Sequence, residues 1–224
     1  AAVPLVIVIL LLPEPPPFKG ARKETGPQKM RVSPWAVLWI LVYFAFTLFL
    51  YPMFLNISSI IIDGGYGTAA AAGFVLTMFT VGGMVSSALF GAAFRTLKHF
   101  IISAGFLLTA VGFVCLAAGH NLMLLIVGCV LAGLGFGLVA PTVILYVGLS
   151  VPPPSRAMVV SLTMAFANFG GFLSPYFFSL VKTVGNIPQE RFPFFCSLAY
   201  FAAVALLFVF VKKSPRPCGG SELD

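Results

Sequence analysis

The sequence predicts an all-α, polytopic membrane protein with six transmembrane helices, and three observations carry that expectation. Hydrophobic residues fill 60% of the 224 positions and charged residues only 8%, far from the balance of water-soluble domains. Uncharged stretches of more than about 18 residues, enough to cross a bilayer as a helix, follow one another almost end to end. Basic residues collect in the gaps between them, on alternate sides. Lipid is therefore the solvent for most of the chain, and the lipid bilayer its first partner. A net charge of +7 would suit nucleic acid. However, aromatic and aliphatic blocks separate the basic residues, no continuous basic surface forms, and no nucleic-acid partner is expected.

The chain opens on AAVPLVIVILLL, a run of 12 residues. It is shorter than the roughly 20 needed to span, so residues 1–12 read as the tail of a truncated transmembrane span. A cleaved signal peptide would need a basic leader before that run and a cleavage site after it, and the sequence shows neither. Residues 13–33, rich in proline, glycine and charge, read as a linker. Six complete spans follow within 34–212, at Pro34–Asn56, Thr68–Phe94, Phe100–Gly119, Asn121–Val147, Ala157–Val181 and Phe192–Val211, and a tail at 213–224 closes the chain. The stretch from Phe100 to Ser155 is uncharged for 56 residues, room for two helices, and Gly119-His120-Asn121 is the turn between them. With six spans, one side holds Lys19, Arg22, Lys23, Lys29, Arg31, Arg95, Lys98, Arg156, Lys212, Lys213 and Arg216, and the other only Lys182 and Arg191. The positive-inside rule makes the linker and the C-terminus cytoplasmic, in an integral protein of the plasma (inner) membrane.

After the second span the loop GAAFRTLKHF resembles a degenerate copy of the G-x-x-x-D-R-x-G-R-R/K loop of the major facilitator superfamily (MFS). Gly91, Arg95 and Lys98 match its glycine and basic character, and its acidic member is absent. GLGFGLVAP in the fourth span, PPPSRA after it and NFGGFLSP in the fifth fall in the order and sidedness of that family's second half. The resemblance covers Ala1 to about Lys213. It implies the C-terminal six-helix half of an MFS-type bundle, with 13–33 as the cytoplasmic inter-half linker and a missing N-terminal six-helix half as partner. It also implies that the first, second, fourth and fifth helices border a cavity while the third and sixth face lipid. In relatives that couple transport to protons, the titrating group would then belong to the missing half.

No Asp, Glu, Lys or Arg lies within any span, so no proton relay is visible. Asp63, in IIDGGYG at the end of the first span, reads as a solvated loop acid. Polar residues at helical spacing are the substrate-cavity candidates: Tyr43, Thr47 and Tyr51 in the first span, Thr142 and Tyr146 in the fourth, and Ser161, Met164 and Asn168 in the fifth. The plainer reading has hydroxyls bonding their own helix carbonyls and tyrosines sitting in the interfacial belt. Asn168 stands apart, because an amide cannot satisfy all its hydrogen-bonding sites from its own helix. Gly83, Ser87, Gly91, Gly133, Gly135, Gly137, Gly170 and Gly171, with Pro141 and Pro175, are candidates for close helix packing or for a hinge. Arg95, Lys98 and Arg156 are candidates for a cytoplasmic gate, although the positive-inside rule alone accounts for them.

These features favour a secondary active transporter that moves small organic solutes by alternating access, with proton-coupled efflux as one form of it. An uptake permease for sugars or organic anions, and a self-standing six-helix channel or scaffold, stay open as alternatives. An enzyme is not expected, because His99 and His120 sit in loops on opposite sides and no nucleophile has a base beside it. No cofactor or metal is expected, since the four cysteines show neither C-x-x-C spacing nor histidine neighbours.

Overall fold

A computed structural model describes residues 34–97, 100–185 and 191–210. The expected span tail at 1–12, the linker at 13–33, Lys98 and the tail at 213–224 lie outside the described residues. Apolar sequence and helix coincide throughout. The helices are α1 (Pro34–Leu50), α2 (Pro52–Asp63), α3 (Ala69–Ala88), α4 (Phe90–Leu97), α5 (Ile101–Ala118), α6 (Leu122–Leu149), α7 (Arg156–Gly185) and α8 (Phe192–Phe210). A short 3-10 turn, Pro153–Ser155, precedes α7. Five helical stretches are long and apolar enough to cross a membrane: Pro34–Asp63, Ala69–Ala88, Ile101–Ala118, Leu122–Leu149 and Pro153–Thr183. The sixth, apolar over Phe192–Phe208, falls a little short of the roughly 20 residues of a full span.

The first helical stretch runs past Asn56, where the span was expected to stop, because ISSIII continues the apolar run as far as Asp63. Gly65 then reverses the chain at φ 69°, a left-handed conformation that glycine adopts without a Cβ penalty. The same stretch is interrupted at Tyr51. Pro52 has no N–H to give the carbonyl of Leu48, and that oxygen instead accepts the Ser174 Oγ proton from α7 at 2.8 Å. Ser174→Ala leaves this buried acceptor without its donor. Stability is expected to fall by about 1 kcal/mol, within the range measured for interhelical hydrogen bonds in membranes. Thermal unfolding of the purified protein reads the effect, and an unchanged midpoint would mean that the carbonyl finds another donor.

Helix α6 lies at the centre of the bundle, packed along α3 on one side and α5 on the other, while α7 packs along α1 and α8 along α5. Its glycines line two seams. A Cβ on Gly133 would run into the Phe79 carbonyl oxygen, and one on Gly137 would lie 2.6 Å from the Gly83 carbonyl oxygen, so both face α3. A Cβ on Gly135 would lie 2.5 Å from the Gly105 carbonyl oxygen, and one on Gly128 would lie 2.9 Å from that of Gly112, so these face α5. At about 100° per residue, positions two apart point to opposite sides of a helix, which explains the division. Ser86 Oγ adds a 2.7 Å bond to the Leu134 carbonyl across the α3 seam. Gly91 packs against nothing among the described residues, since a Cβ there would meet nothing within 4 Å. Ser87 is exposed at the edge of the α3 seam, and α6 and α7 run unbroken through Pro141 and Pro175.

The third span, expected to border lipid, is the most buried of the five. Helices α6 and α8 cover two of its sides, and Phe113 packs 5.1 Å from Phe201 and 5.9 Å from Phe194, both fully buried on α8. Phenylalanine in the sixth span therefore serves the core as well as the outer surface.

Candidate functional site

Helix α7 buries a single stripe: Val159, Thr163, Ala167, Gly170, Gly171, Ser174 and Phe178. This stripe lies against α1. Gly170 and Gly171 let α1 approach, since a Cβ on the first would lie 2.5 Å from the Phe44 carbonyl oxygen and one on the second would strike the Tyr51 ring. Thr47 Oγ1 donates to the Ala167 carbonyl at 2.8 Å and closes the same seam. On the opposite face, Ser161, Ala165, Asn168 and Phe172 lie exposed at i, i+4, i+7 and i+11, near the middle of a 30-residue helix.

Asn168 Nδ2 donates to the Met164 carbonyl at 2.9 Å, and Ser161 Oγ donates to the Ala157 carbonyl at 2.9 Å. Among the described residues Asn168 Oδ1 accepts no hydrogen bond, so the amide still offers an acceptor and a second N–H. Aromatic rings flank it. Phe44 stacks on Phe169 at 6.2 Å, Phe169 on Phe172 at 6.4 Å, and Tyr176 follows at 5.5 Å from Phe172. The face is thus uncharged, with one amide, the hydroxyls of Ser161 and Tyr176, the half-open Met164 and a ladder of rings.

The other cavity candidates do not join this face. Tyr43 is buried and stacks 6.4 Å from Phe46. Thr142 is fully buried with its proton on the Leu138 carbonyl at 2.7 Å, and Tyr146 packs 5.1 Å from Trp39 inside the bundle. Tyr51 is half-buried on Gly171. Of these, Thr142 has its hydroxyl satisfied by its own helix, and the Tyr43 and Tyr146 rings pack against neighbouring aromatic rings. Arg95 and Arg156 are exposed at one end of the bundle and form no ion pair among the described residues. At the other end, Asn56, Ser174, Ser179 and Lys182 line a pocket of about 290 Å³ beside Pro175. The sequence marked Lys182 only as a loop charge and did not mark Ser179, although their i, i+3 spacing places them on one face of α7.

Helices of span length and apolar composition define a polytopic integral membrane protein. The chain belongs to the Major Facilitator Superfamily, whose family model matches residues 1–175 and 53–221. It is 32% identical over 148 residues to the proton myo-inositol cotransporter of Homo sapiens, covering 63% of this chain and 22% of that protein. It is 28% identical over 172 residues to the uncharacterized MFS-type transporter YdeG of Bacillus subtilis (strain 168), covering 71% of this chain and 39% of that protein. The chain thus spans less than half the length of either curated relative.

Proposed function

We propose that this chain is the C-terminal six-helix half of a secondary active transporter, and that the exposed face of α7 is one wall of its solute pathway. The observation that carries the proposal is Asn168, an amide with unused hydrogen-bonding capacity on the exposed side of α7. Facing lipid there would cost an amide-like group about 4–8 kcal/mol on scales where nothing can hydrogen-bond. Facing a water-filled pathway between two halves removes that cost. The pathway wall is uncharged and aromatic, which suits neutral or amphipathic organic solutes better than multiply charged ones. Similarity to a proton myo-inositol cotransporter favours a second reading, an uptake permease for a hydroxylated solute, over efflux of drug-like molecules.

In this scheme the missing N-terminal half covers the α7 face, and the halves rock against each other around the solute. Arg95, Arg156 and Lys98 latch the cytoplasmic end against that half, and the membrane is the plasma membrane with linker and C-terminus inside. Apart from Asp63 at the very end of the first, no carboxylate lies within the described spans, so proton coupling would rest on groups elsewhere. Cysteine accessibility tests the pathway. Cys115, Cys129 and Cys196 are free thiols, so they and Cys218 are first replaced by serine or alanine. A single cysteine at Ser161 or Asn168 is then expected to react with a membrane-impermeant thiol reagent, and one at Val111, on the open side of α5, to stay unlabelled. Protection of Asn168→Cys from labelling together with rapid labelling of Val111→Cys would overturn the assignment.

A further inference from the structure

We propose a site for an anionic phospholipid in the outer groove between α5 and α8, with Arg191 holding its phosphate. A pocket of about 630 Å³ opens there, lined by Val114, Ala118, His120, Arg191, Phe195 and Leu198. Among the described residues, Arg191 is the one lining side chain that carries a fixed charge. The guanidinium is fixed by Nη1 donating to the Ala117 carbonyl at 2.9 Å, near the end of α5. That bond uses one of five N–H donors, so the remaining fork can receive an oxyanion. His120, in the turn after α5, brings a second side chain able to donate to the same mouth.

Below this mouth the lining turns apolar, and the change in chemistry selects the occupant. Val114 and Phe195 are 46% and 47% exposed, and the open stripe continues down α5 through Val111 and Leu107, one helical turn at a time. A free phosphate would use only the guanidinium end. An acyl chain laid along Val114, Val111 and Leu107, below a phosphate at Arg191, fills both parts of the groove. Basic side chains near a membrane surface favour anionic lipids by about five-fold each, which sets the size of the preference expected here. The site shares no residue with the exposed face of α7, and nothing in it depends on how that face is used.

The full protein is purified in mild detergent, supplied with equal amounts of phosphatidylglycerol and phosphatidylcholine, and examined by native mass spectrometry for retained lipid. Phosphatidylglycerol is expected to be retained about five-fold over phosphatidylcholine. Arg191→Gln is expected to bring the two to parity, and Arg191→Lys to keep most of the preference. Val114→Trp, which fills the groove and leaves Arg191 in place, is expected to lower retention of both lipids, so the proposal can be tested even where the Arg191→Gln variant folds poorly. Equal retention by the parent protein would overturn the proposal. So would an unchanged preference in Arg191→Gln, or complete displacement of the lipid by millimolar inorganic phosphate.

Discussion

Leucine at Gly133 is expected to lower the yield of folded, monodisperse protein well below the parental value. A Cβ at this position runs into the Phe79 carbonyl oxygen and comes within 2.9 Å of its carbon and 3.0 Å of the Gly83 nitrogen, all backbone atoms of α3. A side chain can rotate away from such a contact, but a helix backbone cannot, so α3 and α6 must separate. Separation also loosens the Gly137 contact with Gly83 and stretches the 2.7 Å bond from Ser86 to Leu134. Overpacking of this kind costs about 1–3 kcal/mol, occasionally more. The lost interhelical hydrogen bond adds roughly 0.6. Against a typical stability of about 5–15 kcal/mol, that is a large share of the whole. Size-exclusion chromatography of a fluorescent fusion measures it directly, as a reduced monodisperse peak.

Two controls separate close packing from a hinge. Gly91→Leu and Gly73→Leu place the same side chain where a Cβ meets nothing within 4 Å, and both are expected to give parental yields. If the α6 glycines served to bend the helix during transport, Gly133→Leu would fold normally and fail only in transport. Normal yield with lost transport would therefore remove the packing account. The contacts argue against that result, because Gly133 and Gly135 face different neighbours and each is closed in by backbone.

Helix positions were legible because apolar runs and their charged borders are properties of composition, and Arg95, Asp63 and Arg191 all fall at or beyond helix ends. The interruption at Tyr51 was not, although Pro52 was visible, because a proline inside an apolar run can bend, break or do neither, depending on what receives the freed carbonyl. Here Ser174, 126 residues away in sequence, receives it. Glycines four apart announced close helix contacts, but spacing alone does not say which helix approaches. Gly135 was grouped with Gly133 and Gly137 although its neighbours lie on α5. In the candidate site the amide of Asn168 was legible, since few arrangements within lipid satisfy it. Hydroxyls were not, since Thr142 is content on its own helix. Phe169, Phe172 and Tyr176 went unnoticed because an aromatic ring suits lipid, core and solute equally.

Asn168→Leu is expected to leave folding intact and to reduce transport by roughly 5–150-fold, the kinetic equivalent of losing one or two hydrogen bonds to a solute at about 1–3 kcal/mol. Folding should survive because the side chain is exposed and bonds only the Met164 carbonyl of its own helix. Exposed positions of this type usually shift stability by less than about 0.5 kcal/mol. Asn168→Gln keeps the amide but moves it by one methylene, so transport should be partly retained. Thr142→Val makes the contrast, because Thr142 is equally polar in sequence yet fully buried, with its proton committed to Leu138. Its replacement should cost stability slightly and leave the transport rate per folded molecule near the parental value. Uptake or efflux of a radiolabelled solute by vesicles, normalised to folded protein, compares the three variants. Normal transport in Asn168→Leu beside a failing Thr142→Val would move the pathway from the exposed face of α7 to the interior of the bundle around α6.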